Sequence, residues 1–148
     1  MFEISSGNPA SGRLVYRRSE FSLETEPQPS GGGASLLIND VQLEINEDGH
    51  LLEVWGYCPE QSWRTAVLKT PEATGAQLRW TGNSIAAGTS LRLNDSGRWD
   101  VLFDPIRLNL RIGSTIDGDQ FVAFAPGAIA ELSCGNLVRM WLKLSAFI

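Results

Sequence analysis

Residues 41–57 read VQLEINEDGHLLEVWGY, in which apolar and polar side chains alternate before the turn Asn46–Gly49. After the turn, residues 51–57 have apolar side chains on both faces of an extended strand. Val41, Leu43 and Ile45 fall on every second position, so in an extended chain they face one side of a sheet. Asn initiates type I turns, and Gly accepts the left-handed conformation that closes a bulged hairpin. This stretch therefore predicts an antiparallel β-hairpin with one buried face.

Four further runs show the same alternation, at residues 76–80, 98–103, 106–112 and 138–144. Each run has one apolar and one polar face, as half-buried antiparallel strands do. The turn sequence recurs at Asn94–Gly97, between two of these runs. We therefore predict an all-β fold, an antiparallel β-sandwich or a partly open β-barrel of about 8–11 strands with at most two short helices.

The first 33 residues differ in composition from the rest of the chain. Short alternations at residues 14–17 and 20–24 favour a β-hairpin. Residues 26–33 then contain two prolines and three glycines, which neither a helix nor a central strand accommodates. We predict a single domain in which residues 1–33 form an N-terminal arm with a β-hairpin and a Pro/Gly-rich loop, and residues 34–148 form the main antiparallel β domain.

Charge is spread unevenly along the chain. The net charge of −5 argues against a nucleic-acid partner, because proteins that bind phosphate backbones carry a basic surplus. Residues 1–60 hold ten acidic and three basic side chains, whereas residues 61–148 hold seven acidic and nine basic ones. An acidic first half can steer a basic partner toward it.

The longest apolar stretch, residues 121–130, is interrupted by Pro126 and Gly127. It is shorter than the ~20 residues that a membrane-spanning helix needs. Residues 1–10 lack the apolar region of a signal peptide. We therefore expect a cytoplasmic protein with no membrane partner.

Few residues suit catalysis or metal binding. His50 is the only histidine, and it follows a turn, where a solvent-exposed side chain is the usual outcome. Cys58 and Cys134 are far apart and belong to no CxxC pair, which leaves open whether they pair with each other. Neither residues 46–49 nor residues 117–119 provide a calcium-binding loop. We predict no metal site and no cofactor.

The candidate binding residues are acidic and aromatic side chains of the first hairpin and of the segment that follows it. Acids beside aromatics suit recognition of a basic partner, and Tyr and Trp are favoured interface anchors. A competing interpretation packs the aromatic side chains against the core under a loop. The candidates are Glu44, Glu47, Asp48, Glu53, Trp55, Tyr57 and Trp63.

Three functions are compatible with this pattern. The leading hypothesis is a non-enzymatic protein that binds a basic protein partner, such as a small bacterial immunity or antitoxin-like protein. The first alternative is a small-molecule-binding β-barrel, which needs a deep apolar cavity with a few polar groups. The second is an enzyme that uses carboxylates or His50. Glu44 and Glu53 lie on opposite arms of the hairpin, but their spacing predicts exposed acids and not the buried one that a general acid requires.

Overall fold

The computed structural model describes all 148 residues and confirms the all-β prediction, with fifteen strands. The single helical element is the three-residue 3-10 turn Glu60–Ser62, so no helix here reaches the length of a bilayer-spanning segment. The strands are β1 (Phe2–Ser5), β2 (Arg13–Arg17), β3 (Ser22–Glu26), β4 (Ala34–Ile38), β5 (Val41–Ile45), β6 (Leu51–Tyr57), β7 (Trp63–Thr65), β8 (Thr74–Gly75), β9 (Gln77–Trp80), β10 (Ser90–Arg92), β11 (Asp100–Asp104), β12 (Asn109–Gly113), β13 (Gln120–Ala125), β14 (Ala128–Ser133) and β15 (Asn136–Phe147).

The strand count exceeds the predicted range of about 8–11 because several strands are very short. Strands β7, β8 and β10 contain only two or three residues each. Each of them pairs in parallel with a strand that is distant in sequence. Alternation becomes visible over roughly four residues or more, so strands this short leave no pattern in the sequence.

Strand β15 joins the two halves of the molecule. Through residues 136–143 it pairs with β14 on one side and β12 on the other, and through residues 144–147 it pairs in parallel with β2. The main path of the large sheet runs β10-β4-β5-β6-β3-β2-β15-β12-β11-β7, and β14, β13 and β8 branch from β15. Strands β1 and β9 form a separate two-stranded sheet.

The apolar face of each alternating run supplies the core. On β15, Val138, Met140, Leu142 and Leu144 are buried, as the alternation predicts. One cluster of 28 buried residues draws on strands from both sides of β15. Burying a side chain the size of Leu or Met contributes roughly 1.5–3 kcal/mol, which makes this shared core the main source of stability.

One predicted strand is partly wrong. In the run 106–112, Ile106 is 88% exposed and the strand begins only at Asn109. The buried carboxylate of Asp104 accepts hydrogen bonds from the backbone N–H groups of Ile106 (3.0 Å) and Arg107 (3.1 Å). These bonds build a turn, because backbone groups that are satisfied by a side chain do not need a sheet partner.

The second Asn-x-x-Gly turn does not close a hairpin. Strand β10 before it pairs in parallel with β4, and β11 after it pairs with β12 and β7. Asn94 explains the difference, because its side-chain amide donates to Asn39 Oδ1 (2.7 Å) and its Oδ1 accepts from the Asn39 N–H (3.1 Å). The turn therefore docks against the connection between β4 and β5.

The three strands within residues 1–33 pair with strands of the rest of the chain or with each other. Strand β1 pairs with β9, and β2 lies between β3 and β15. The Pro/Gly-rich loop, here residues 27–33, lies against β5, because the Gly33 N–H donates to the carbonyl of Ile45 (3.1 Å). A Cβ on Gly32 would lie 2.5 Å from Glu44 Cγ, so the absence of a side chain allows this close approach without displacing Glu44.

Candidate functional site

Glu44 and Glu53 face each other directly across the β5–β6 ladder. They lie on the outer face of the hairpin, since the adjacent pair Leu43 and Val54 is buried in the core. Glu53 as a residue is nevertheless only 3% exposed. Its side chain borders a groove and takes part in no hydrogen bond or ion pair of the protein. Like charges placed opposite each other destabilise a β ladder, and burial of one of them adds to that cost.

The environment of this pair changes its proton affinity. Burial raises the pKa of Glu53 to about 7, and the nearby charge of Glu44 adds to the rise. Burial also raises the pKa of Glu44, while a hydrogen bond from the Trp55 side chain opposes that rise. At neutral pH Glu53 therefore exchanges between its neutral and charged forms, and the charged form lacks a counter-ion within the protein.

Two features of the backbone shape the surroundings of Glu53. The loop of residues 27–33 lies over this face, with Gly32 against Glu44 and Gln28 beside the groove. Strands β3 and β6 pair only at Ser22–Leu23 and then diverge. Beyond that point the Thr25 hydroxyl donates to the Val54 carbonyl (3.0 Å), so a side chain replaces the ladder bond. The separation of the strands opens a groove above Glu53.

This Glu53 groove has a volume of about 540 Å³. Tyr57 is half exposed and makes an edge-to-face contact with Phe21 at 6.3 Å. Of the acids in the groove, Glu24 forms an ion pair with Arg17 (2.5 Å). The other two, Glu20 and Glu53, form no ion pair. Polar and aromatic side chains line the groove, namely those of Glu20, Ser22, Glu24, Gln28, Glu53, Trp55 and Tyr57.

A second groove lies at the Asn46–Gly49 turn and has a volume of about 810 Å³. Asn46 Oδ1 accepts the backbone N–H groups of Asp48 (3.0 Å) and His50 (2.9 Å), which fixes the turn. Glu47 and Asp48 are exposed there and form no ion pair. This turn groove is also lined by Glu3, by Gly31–Gly33, by Arg79, Trp80 and Thr81, and by Ser84 and Ile85.

The seven predicted residues do not form one surface, because the Pro/Gly-rich loop separates them. Glu47 and Asp48 line the turn groove, whereas Glu53, Trp55 and Tyr57 line the Glu53 groove. Glu44 lies between the two, in contact with the loop. Sequence patterns did not indicate that Arg79 and Trp80, more than thirty residues from the turn, would line the same groove as Glu47.

Trp63 belongs to an aromatic cluster and not to either groove. Its ring centroid lies 4.8 Å from Tyr16, 4.8 Å from Phe103 and 6.2 Å from Phe147. It is partly buried against the core, which matches the competing interpretation for this residue. Trp63 therefore contributes packing to the junction of β2, β7, β11 and β15.

Other reactive side chains are dispersed. His50 is half-buried and forms a backbone bridge with Arg79. Cys58 is buried, Cys134 is exposed, and both thiols are free. Burial raises the pKa of the Cys58 thiol to about 11. No three His, Cys, Asp or Glu side chains converge to hold a metal ion.

A small apolar pocket lies beside Trp141 on the outer face of β12, β14 and β15. Its volume is about 220 Å³, and seven of its eleven lining residues are apolar. Asn109 contributes the main polar group, because its Oδ1 is buried without a hydrogen bond while its Nδ2 donates to the Leu68 carbonyl (3.1 Å). Buried acceptors are almost always paired, so this oxygen marks a place for a donor.

Comparison with known proteins adds no homologue to this description. No protein-family model matches the chain, and a search of curated proteins finds no significant match. The two acidic grooves and the unpartnered Glu53 carboxyl are therefore the features from which a function is inferred.

Proposed function

We propose that this is a non-enzymatic binding protein that docks a basic segment of a protein partner in the turn groove. The observation that carries the proposal is the pair Glu47 and Asp48, exposed and without ion pairs at the edge of the 810 Å³ groove. Arg79 is the basic side chain of that groove, and Glu3 already neutralises it at 3.0 Å. The charge left over in the groove is therefore negative.

The chemistry of the groove suits a Lys- or Arg-rich segment. Trp80 and Ile85 supply apolar surface for the aliphatic part of a long basic side chain. Exposed acids steer such a partner to the groove by electrostatic attraction. Salt weakens this attraction, because the Debye length is about 8 Å at physiological ionic strength. A bacterial immunity or antitoxin-like protein that covers a basic surface of its target is one example of this function.

Fluorescence anisotropy with a labelled oligolysine peptide tests the proposal. We expect binding to weaken about tenfold when ionic strength rises from about 0.02 to about 0.2 M. The double variant Glu47→Gln with Asp48→Asn is expected to weaken binding about threefold or more at low salt. Asp95→Asn is the matched control, since Asp95 occupies the position of Glu47 in the second Asn-x-x-Gly turn.

Peptide binding that ignores salt, or that Asp95→Asn weakens as much as the double variant does, contradicts the proposal. Absence of binding by oligolysine and oligoarginine peptides alike also contradicts it.

A second candidate function, the binding of a small apolar molecule, is favoured by the apolar pocket beside Trp141, whose lining includes Asn109 with its unpaired Oδ1. An aromatic ring with one hydroxyl donor fits, because a cavity of about 150 Å³ already holds benzene. We expect phenol to perturb the NMR signals of Trp141 and to bind about 2–10-fold more tightly than benzene, the value of one hydrogen bond. Equal binding of phenol and benzene, or no perturbation, would rule the candidate out.

A further inference from the structure

We infer that the Glu53 groove is a binding site for an organic cation, an ammonium or guanidinium group, with Glu53 as its counter-charge and Trp55 and Tyr57 as its aromatic side. The Glu53 groove and the turn groove share no lining residue, so they are separate sites. If the cation is a side chain of a protein partner, the inference rests on the proposed function, whereas a free amine would bind independently of it.

The first step of the inference is the missing partner of Glu53. The other two buried acids are fully paired. Glu131 accepts from the Gly118 N–H (2.7 Å), Trp141 Nε1 (2.9 Å) and Arg139 (3.0 Å). Asp104 accepts from three backbone N–H groups and from Arg107. Glu53 has no such donor, although it is as deeply buried as they are. A buried carboxylate without a partner is costly, so the groove stabilises whatever cation reaches it.

The second step is the aromatic lining. Trp55 and Tyr57 follow Glu53 at alternate positions of β6, so all three side chains occupy the same face of the strand. Both aromatic residues line the groove together with Glu53. A cation beside an aromatic face is attracted by the negative face of the ring, most strongly where water is excluded. Aromatic faces next to one carboxylate are typical of sites for ammonium and guanidinium groups.

The same lining disfavours a metal ion. Calcium takes six to eight oxygen ligands and magnesium keeps a nearly octahedral oxygen shell. The carboxylates of the groove do not converge into a group that could hold a metal ion, and Trp55 and Tyr57 are part of its lining. The volume of about 540 Å³ falls within the range of small-ligand sites and holds one side chain or one small amine.

Cation binding must compete with a proton on Glu53. The charged groups that face Glu53 are Glu44 across the ladder and Glu20 and Glu24 from the β3 side, with Arg17 already held by Glu24. Burial and Glu44 raise the pKa of Glu53 to about 7 in the empty groove. A bound cation favours the carboxylate, so affinity is expected to rise with pH through neutrality and binding to release a proton.

NMR titration of the Trp55 indole N–H tests the site with two probes, n-butylammonium chloride and methylguanidinium chloride. We expect a saturable change in the chemical shift of this N–H. The affinity derived from it should be about tenfold or more higher at pH 8 than at pH 5.5, since each pH unit below the Glu53 pKa lowers the ionised fraction of Glu53 about tenfold. Glu53→Gln, which keeps the side-chain size, is expected to abolish the shift. Glu47→Gln, in the other groove, is the control and should leave it unchanged.

The outcomes separate this site from the turn groove. A lysine peptide that shifts Trp55 and loses affinity in Glu53→Gln identifies a partner side chain as the cation. Small amines that bind at Trp55 while peptides do not bind at all identify a free amine, and then only the proposed function fails. The inference itself is overturned if neither probe shifts Trp55, or if Glu53→Gln, shown to be folded by circular dichroism, binds the probes as the unchanged protein does.

Discussion

Glu53 and Glu131 are both buried glutamates on outer faces of the sheet, yet they have opposite surroundings. Glu131 accepts hydrogen bonds from a backbone N–H, an indole and an arginine. Glu53 has none of these and faces Glu44. At the scale of single residues, one glutamate therefore stabilises the fold as a carboxylate, whereas the other is tolerated best when it carries a proton.

The first prediction concerns Glu53→Gln and pH. The pKa of Glu53 is about 7 in the folded chain, above its ordinary value of 4.5. A carboxyl group of this kind stabilises the fold while protonated, so its contribution is lost as pH rises from about 4.5 to about 7. At pH 8 we expect Glu53→Gln to raise the free energy of unfolding by about 1–3 kcal/mol, and at pH 4 to leave it nearly unchanged. Urea unfolding at both pH values measures this difference, and equal stabilities at pH 8 would contradict it.

The second prediction is that the same substitution at Glu131 lowers the free energy of unfolding. Glu131→Gln removes the charge that Arg139 faces at 3.0 Å. The variant leaves the largely buried Arg139 with only the exposed Asp117 as a counter-charge, so we expect a loss of about 3 kcal/mol in the free energy of unfolding at pH 8. The same urea series compares it with Glu53→Gln. A variant as stable as the unchanged protein would contradict the prediction. It would show that Asp117, 2.9 Å from Arg139, is a sufficient counter-charge for this arginine.

At the scale of elements, the position of a loop determines the chemistry of a strand. The Pro/Gly-rich loop, residues 27–33, lies against Glu44 and Ile45 of β5, and it contributes lining residues to both grooves. Gly32 allows this contact because it has no side chain to meet Glu44. The neighbouring Gly33 has open space where its Cβ would lie. The two glycines therefore differ in role, although they are adjacent in sequence.

The third prediction compares alanine substitutions at these glycines. Gly32→Ala places a methyl group 2.5 Å from Glu44 Cγ, so either the loop or Glu44 must move. We expect a loss of about 1–3 kcal/mol in the free energy of unfolding and a lower pKa for Glu53, because its burial decreases. Gly33→Ala should change neither the free energy of unfolding nor the pKa of Glu53. Urea unfolding and NMR pH titration of Glu53 measure both effects, and a Gly33→Ala variant that behaves like Gly32→Ala would exclude this role for the contact.

At the scale of the whole molecule, β15 makes one cooperative unit from strands that are far apart in sequence. It pairs with β14, β12 and β2 along its twelve residues. The core cluster includes Leu36 and Leu43, from strands connected to β15 through β2, together with Ile112 of β12 and Phe124 of β13. Damage to the core on one side is therefore expected to destabilise both sides together.

The fourth prediction uses two isoleucines from one alternating run. Ile112 is fully buried and pairs with Met140 of β15, whereas Ile106 is 88% exposed. We expect Ile112→Ala to lower the free energy of unfolding by about 2–5 kcal/mol in a single transition, and Ile106→Ala to change it by less than about 0.5 kcal/mol. Tryptophan fluorescence and far-ultraviolet circular dichroism should give coincident curves. Two separate transitions would contradict a shared core.

Local patterns predicted the strands well and the candidate site only in part. Alternation predicted β5 and β15 with their buried faces, and it was misleading at Ile106, where the Asp104 carboxylate builds a turn. Glu47 and Asp48 are exposed acids as predicted, because a turn exposes its own side chains. Trp63 could not be assigned from sequence, since its neighbours come from three distant strands.

The sequence by itself determined that this chain folds as β-strands with one apolar face, because side-chain alternation is a property of the extended backbone. Only the tertiary structure decided that Glu53 is buried, unpartnered and beside a groove. Its surroundings depend on a loop some twenty residues earlier in the chain, which lies against the opposing Glu44, and the groove depends on the divergence of β3 from β6. A local pattern shows which side of a strand a side chain occupies, and the segments that pack on that side determine its pKa and its chemistry.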